Sequence, residues 1–214
     1  MLKPAFALIL AFAGMIQQAP KQIVDNERVT VWEATWVKGK STSHQNKLDQ
    51  VTVELADASM KITTPDGKSQ STSFKLGQAA FIAKGKTQIE EGTSEPGRHA
   101  IVIDLKDVLI QPLENKSGYP DAFPREGIKK ILDNARVTVW DYTWTPGKAT
   151  PMHFHAKDVV TIYVSNGEIR STPLKGEATV NVVSPGLTRF NARNRTHTEE
   201  LIKGMGRAII VELK

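Results

Sequence analysis

The feature that most constrains this chain is that it carries one stretch of text twice. Val24–Lys40 reads VDNERVTVWEATWVKGK and Leu132–Lys148 reads LDNARVTVWDYTWTPGK, a gapless match at 11 of 17 positions. All four tryptophans fall in register, Trp32 with Trp140 and Trp36 with Trp144. The likeness continues in DQVTVEL (Asp49–Leu55) against DVVTIYV (Asp158–Val164), and in GRHAIVIDLK (Gly97–Lys106) against GRAIIVELK (Gly206–Lys214). Two copies of one unit of roughly 90–100 residues follow, a length able to bury its own core.

Each unit reads as all-β. Short alternating runs such as RVTVWEATW, QVTVEL, TVNVV and AIIVEL recur between Gly, Pro and Asn turns, at the spacing of a sandwich or barrel. In RVTVWDYTW the alternation puts Trp140, Tyr142 and Trp144 on one face and Val137 and Val139 on the other. The repeated tryptophans are therefore expected in the barrel wall. Residues 112–127, with three prolines and little periodicity, read as a linker packed along the surface, and Gly127–Asp133 as a short turn of helix. The organisation expected is a leader over 1–19, a first unit over 20–111, the linker over 112–127 and a second unit over 128–214.

The leader is read from MLKPAFALILAFAG: Lys3 supplies a positive n-region, Ala5–Phe12 an apolar h-region and Ala11–Ala13 an A-x-A cleavage site, with a later cut after Ala19 as an alternative. An N-terminal helix or membrane anchor is the competing reading, but the apolar run is too short to span a bilayer. A periplasmic or secreted protein is expected, free of the membrane once the leader is removed. A net charge of +5 with scattered Lys and Arg gives no basic run with interleaved aromatics, so nucleic acid is not an expected partner. There are no cysteines, which leaves His, Asp, Glu and backbone as the available metal ligands.

Chemistry concentrates in Gly147–Gly167, GKATPMHFHAKDVVTIYVSNG. His153 and His155 are two apart on an extended run and so share a face, from which two imidazoles converge on one point. A glycine, five residues, an HxH and a closing glycine, here Gly147, His153-Phe154-His155 and Gly167, resemble the first motif of the cupin family. His197, in RNRTHTEEL before the final strand, sits where the second cupin motif carries its histidine. The second unit thus resembles a cupin domain, and the repeat makes the chain resemble a bicupin. The resemblance implies two tandem double-stranded β-helix (jelly-roll) barrels. It also implies a metal held by His153, His155 and His197, with Fe, Zn, Mn, Ni and Cu all compatible.

The departures are as informative. The family's glutamate ligand would fall at Val159 or Val160, and Asp158 is one position early. The first unit has His44-Gln45-Asn46 against the HxH and Gln88 against His197, so its site is degenerate and His44 is expected only to hydrogen-bond within it. Residues kept in both copies read as scaffold: Asp158 with Asp49, Glu199 and Glu200 with Glu90 and Glu91, Arg207 with Arg98. Residues peculiar to the second unit are better candidates. They give Tyr163 as a possible proton donor and Tyr142, Tyr163 and Arg189 as substrate-pocket residues; Arg189, Arg193 and Arg195 together offer charge to an acidic ligand.

Two functions stay open. Three histidines without a carboxylate resemble the cupin dioxygenases that hold Fe(II), which implies a small-molecule oxidoreductase. The alternative is a non-catalytic ligand-binding or structural barrel, so enzyme status is left open. Either reading expects a small-molecule partner and a monomer or homodimer.

Overall fold

The structure is a computed structural model that describes residues 19–214 apart from Leu109, and the side chain of His44 is likewise not described. The expected leader and the expected role of His44 therefore fall outside the described residues. Eighteen strands and no helix appear among them. The first half supplies β1 (Lys21–Asp25), β2 (Val29–Trp36), β3 (Ser41–Gln45), β4 (Asp49–Glu54), β5 (Ala58–Thr63), β6 (Ser69–Phe74), β7 (Ala79–Ile82), β8 (Thr87–Gly92) and β9 (Arg98–Leu105). The second half supplies β10 (Ile128–Asp133), β11 (Val137–Thr143), β12 (His153–His155), β13 (Val159–Tyr163), β14 (Gly167–Pro173), β15 (Thr179–Val183), β16 (Thr188–Asn191), β17 (Arg195–Gly204) and β18 (Arg207–Leu213).

Each half builds a five-stranded and a four-stranded sheet. The first half has the orders β1-β2-β9-β4-β7 and β3-β8-β5-β6; the second has β10-β11-β18-β13-β16 and β12-β17-β14-β15. Adding nine to each strand number of the first half gives the second. Every ladder between these strands is antiparallel, and β1–β2 and β10–β11 are both bulged, after Gln22 and after Lys130. The fold class is the all-β, double-barrel architecture expected.

The five-stranded sheets are apolar on both faces. One face of each enters a common core: Val29, Val31, Val51, Val53, Ile101 and Ile103 meet Val137, Val139, Val160, Ile162, Ile209 and Val211, every one fully buried. The other face points into its own barrel, over Ala34, Trp36, Met60, Phe74 and Ala100 in the first half. In the second half the barrel face carries Trp140, Tyr142, Tyr163 and Ile210, which pack with Trp144 and with Leu201 of β17. The alternation read in RVTVWDYTW is thus the division between shared core and barrel interior.

Two reciprocal arginines clamp this arrangement. Arg28 Nη1 donates to Asp158 Oδ2 at 2.9 Å and Nη2 to the Lys214 carbonyl at 3.1 Å. In the opposite direction Arg136 Nη1 donates to Asp49 Oδ2 at 3.0 Å, and Nη2 to the carbonyls of Leu105 and Lys106. Arg28 and Arg136 occupy the same place in the repeat, as do Asp49 and Asp158. The scaffold reading of the two aspartates agrees with these contacts.

Two expectations are corrected. Ile128–Asp133 is strand β10, not a helical turn. Its backbone pairs with β11, and the bulge after Lys130 breaks strict alternation, so that Ile131 and Leu132 both pack on the shared core while Ile128 packs in the barrel. The segment before it also does more than cross the surface. Phe154 N donates to the Pro120 carbonyl at 2.9 Å, and Ala122 N donates to the Phe154 carbonyl at 2.8 Å. These bonds lay residues 120–122 along the free edge of β12.

Arg28→Ala strips the partner from a buried carboxylate, because both side chains of the Arg28–Asp158 pair are more than nine-tenths buried. The expected loss is about 3–5 kcal/mol of unfolding free energy, with Arg28→Met/Asp158→Leu recovering most of it. Arg136→Ala, in a more exposed pair, is expected to cost less; denaturant titration of the three variants checks the order.

Candidate metal centre

Strand register brings the three histidines together. In the β12–β17 ladder His153 lies opposite His197 and His155 opposite Arg195. Directly opposed side chains share a face, as do side chains two apart, so His153, His155, Arg195, His197 and Glu199 all project the same way. Asn194 makes the turn into β17 with φ of 65°, and its N–H donates to the His155 carbonyl at 2.8 Å. Asparagine is among the few non-glycine residues that take this conformation readily.

One nitrogen from each imidazole lies within 4.8 Å of the others. His155 Nε2 and His197 Nε2 are 3.0 Å apart. Two nitrogens bound to one ion at about 2.1 Å stand about 3.0–3.4 Å apart, so this spacing fits a shared metal. The rings are held from behind: His153 Nδ1 is 2.8 Å from the Pro151 carbonyl, and His197 Nδ1 is 2.9 Å from Ser171 Oγ. Such outer contacts fix ring orientation in metal sites.

All three histidines are buried, and all three are harder to protonate than free imidazole. Burial, helped by the Arg125 charge, lowers His153 to about 4. Burial, with Arg195 next in effect, drives His155 well below the ordinary range, and burial also lowers His197. Neutral imidazole is the form that binds a metal. The donor set therefore fits a divalent transition ion.

His155 and His197 border a pocket of about 70 Å³ lined by Phe123, Arg125, Tyr163, Arg195 and Glu199 among others. Tyr163 is one of the expected pocket residues, and burial followed by the Glu199 charge raises its phenol to about 12. Arg189 also lines the pocket, with Nη1 donating to Asn181 Oδ1 at 2.6 Å. Tyr142 stands elsewhere: the Arg125 guanidinium lies 4.1 Å above its ring, and it faces a separate crevice with Thr150 and Pro151. Arg193 is drawn off to the Gln111 carbonyl. Arg207 pairs with Asp141.

Two residues of this pocket were not singled out in the sequence. Arg125 Nη1 lies 3.2 Å from His153 Nε2, and Nη2 lies 3.4 Å from Glu199 Oε2. A guanidinium only donates, so His153 Nε2 accepts and Nδ1–H donates to Pro151, which fixes the tautomer. Phe123 stacks on Trp140 and meets His155 edge-on. Both come from the proline-rich segment, whose composition gives no sign of an inward role. Glu199, read as scaffold, reaches the pocket; its i, i+2 relation to His197 was the available signal. Burial acts to raise its carboxyl, but His197, Arg125, His153 and Arg195 outweigh that and hold it below the usual range.

Two solved structures share the architecture. A cupin 2 conserved barrel domain protein from Leptotrichia buccalis superposes with a TM-score of 0.60 at 12% identity, over 92% of this chain and 88% of that one. The oxalate decarboxylase of Bacillus subtilis, described with Mn(II) centres, superposes at 0.58 and 14% identity, over 87% of this chain and 68% of that one. This is the fold of a two-domain cupin. No family model matches this sequence, and no curated relative matches it.

Chelator-treated protein is expected to lose stability as pH falls from about 6.5 to 4. Unfolded imidazole, near 6.5, takes up protons in that window that folded His153, held at about 4, does not. Its contribution is thus complete above about 6.5 and lost as pH drops through the folded value. Denaturation midpoints across this range check the slope, which His153→Gln should flatten.

Proposed function

We propose that the second barrel is a mononuclear divalent-metal centre that binds a small carboxylic acid and performs oxidoreductase chemistry on it. The observation that carries this reading is the convergence of three buried imidazoles, held neutral, beside the cations Arg125, Arg189 and Arg195. His153, His155 and His197 would be the ligands. Such an ion supplies Lewis acidity and, if redox-active, a route for electrons.

The remaining roles belong to the chain itself. Arg195, opposite His155, and Arg189, steadied by Asn181, offer charge-assisted hydrogen bonds to a carboxylate. Tyr163 keeps its proton at neutral pH and presents a phenol O–H as donor. Glu199 offers a carboxylate acceptor on the histidine face. A volume of about 70 Å³ suits a substrate of only a few heavy atoms. The oxalate decarboxylase of similar fold makes oxalate the first acid to test, and oxygen-dependent turnover, the dioxygenase form of the reading, the first reaction to assay.

A second reading has its own support. Arg125 occupies His153 Nε2, a nitrogen the ion needs, and the Pro151 carbonyl takes Nδ1, so this imidazole has both partners without a metal. This favours a barrel that binds an acidic ligand without a metal.

Elemental analysis separates the two. The first reading expects about one divalent ion per chain, lost in His155→Ala and His197→Ala. On metal-loaded protein, oxalate binding measured by calorimetry should weaken about tenfold or more in Arg195→Leu. A protein with wild-type melting that takes up no metal at any loading overturns the first reading and leaves the second.

A further inference from the structure

The larger cavity lies in the barrel that lacks the three-histidine cluster. In the first half a space of about 500 Å³ opens among Trp32, Ala34, Trp36, Ile82 and Val102, against about 70 Å³ in the second. Cavities of about 300–1,000 Å³ lined mainly by apolar and aromatic side chains, with a few placed polar groups, are the usual form of small-molecule sites. The repeat shows one source of the room: Ala34 stands where the second half carries Tyr142.

The charged groups lining this space are Asp104, Arg98 and Glu90, and the first two are already partnered. Asp104 accepts from Trp32 Nε1 at 2.8 Å and from Gln50 Nε2 at 2.7 Å. Arg98, fully buried, is held by Glu54 through Nε and Nη2, with its guanidinium 4.2 Å from the Trp36 ring centre and 4.5 Å from that of Phe74. Glu90 differs. It is 3% exposed, its Oε1 accepts from Gln88 Nε2 at 2.6 Å, and its Oε2 has no partner among the described residues. Two carboxylates, Glu90 and Asp104, thus line the space beside one guanidinium that Glu54 already neutralises.

A buried carboxylate oxygen without a donor is costly, and an ammonium group would supply both the hydrogen bond and the charge. The indole of Trp32, which lines the space, favours a cation as well. We infer that the first barrel is a second, metal-independent binding site for a small apolar amine, with the ammonium on Glu90 Oε2 and the hydrocarbon between Trp32, Trp36 and Ile82. Ligands of this kind are repelled by the arginine-lined pocket of the other barrel, so the two sites select opposite charges.

The test uses 1-naphthylmethylamine with its neutral and anionic counterparts, 1-naphthylmethanol and 1-naphthoate, titrated calorimetrically into the protein. The amine is expected to bind at least about tenfold more tightly than naphthoate. Glu90→Gln should erase that preference, and Ala34→Tyr, which restores the bulk of the other half, should block binding. Ile82→Phe serves as a second space-filling variant should Ala34→Tyr not fold. EDTA should leave amine binding unchanged, because the site is independent of the histidines. Absence of amine binding, or equal binding of all three compounds with no effect of Glu90→Gln in a protein of wild-type melting, overturns the inference.

Discussion

A sheet that is apolar on both faces must be covered twice, and that constraint governs this molecule. Each five-stranded sheet turns tryptophans and tyrosines, or their smaller counterparts, into its own barrel. Its valines and isoleucines face those of the other sheet. Burying such a side chain contributes about 1.5–3 kcal/mol, so the shared layer outweighs any single polar contact. The Arg28–Asp158 and Arg136–Asp49 pairs then fix one orientation of the two halves, which hydrophobic contact alone would not specify. Asp158 also accepts from the Arg193 N–H at 2.8 Å, just before β17. The clamp between halves is thereby joined to the strand that carries His197.

On this common frame the two barrels differ by a handful of side chains. Gln88 against His197, Ala34 against Tyr142 and Glu54 against Tyr163 turn a tight, cation-lined pocket with three imidazoles into a wide, acidic, aromatic one. The backbone topology is the same in both. The chemical character of each interior is thus set by what the barrel-facing strand positions carry.

Much of this was legible in the sequence because it depends on local periodicity. Alternation in RVTVWDYTW separates shared core from barrel lining without any three-dimensional information. His153 and His155 converge because a strand repeats every two residues, and His197 joins them through a ladder that the family resemblance anticipated. The same rule of two would have placed Glu199 beside His197. What was not legible depends on breaks in period or on distant chain segments. The bulge in β10 puts Ile131 and Leu132 side by side on one core and disguises a strand as a turn of helix. Arg125 and Phe123 reach the histidines from a segment with no periodicity, guided by its pairing with the edge of β12. One source of the open first barrel, the difference between Ala34 and Tyr142, was written in the repeat, but a missing side chain becomes a cavity only where no neighbour fills it.

The strand orders carry a consequence for the way the molecule is made. The middle strand of each five-stranded sheet, β9 or β18, is the last one its half contributes in sequence, and its neighbours precede it by many residues. Until residues 98–105 arrive, β2 and β4 have nothing between them, and their unpaired edges are open to any other chain able to add a strand. A nascent barrel is therefore adhesive before it is closed. Closure is an insertion event, with long-range pairing in place of hairpin zipping. The hydrogen-bonded rim bearing the histidines can form ahead of the sheet that will lie behind it.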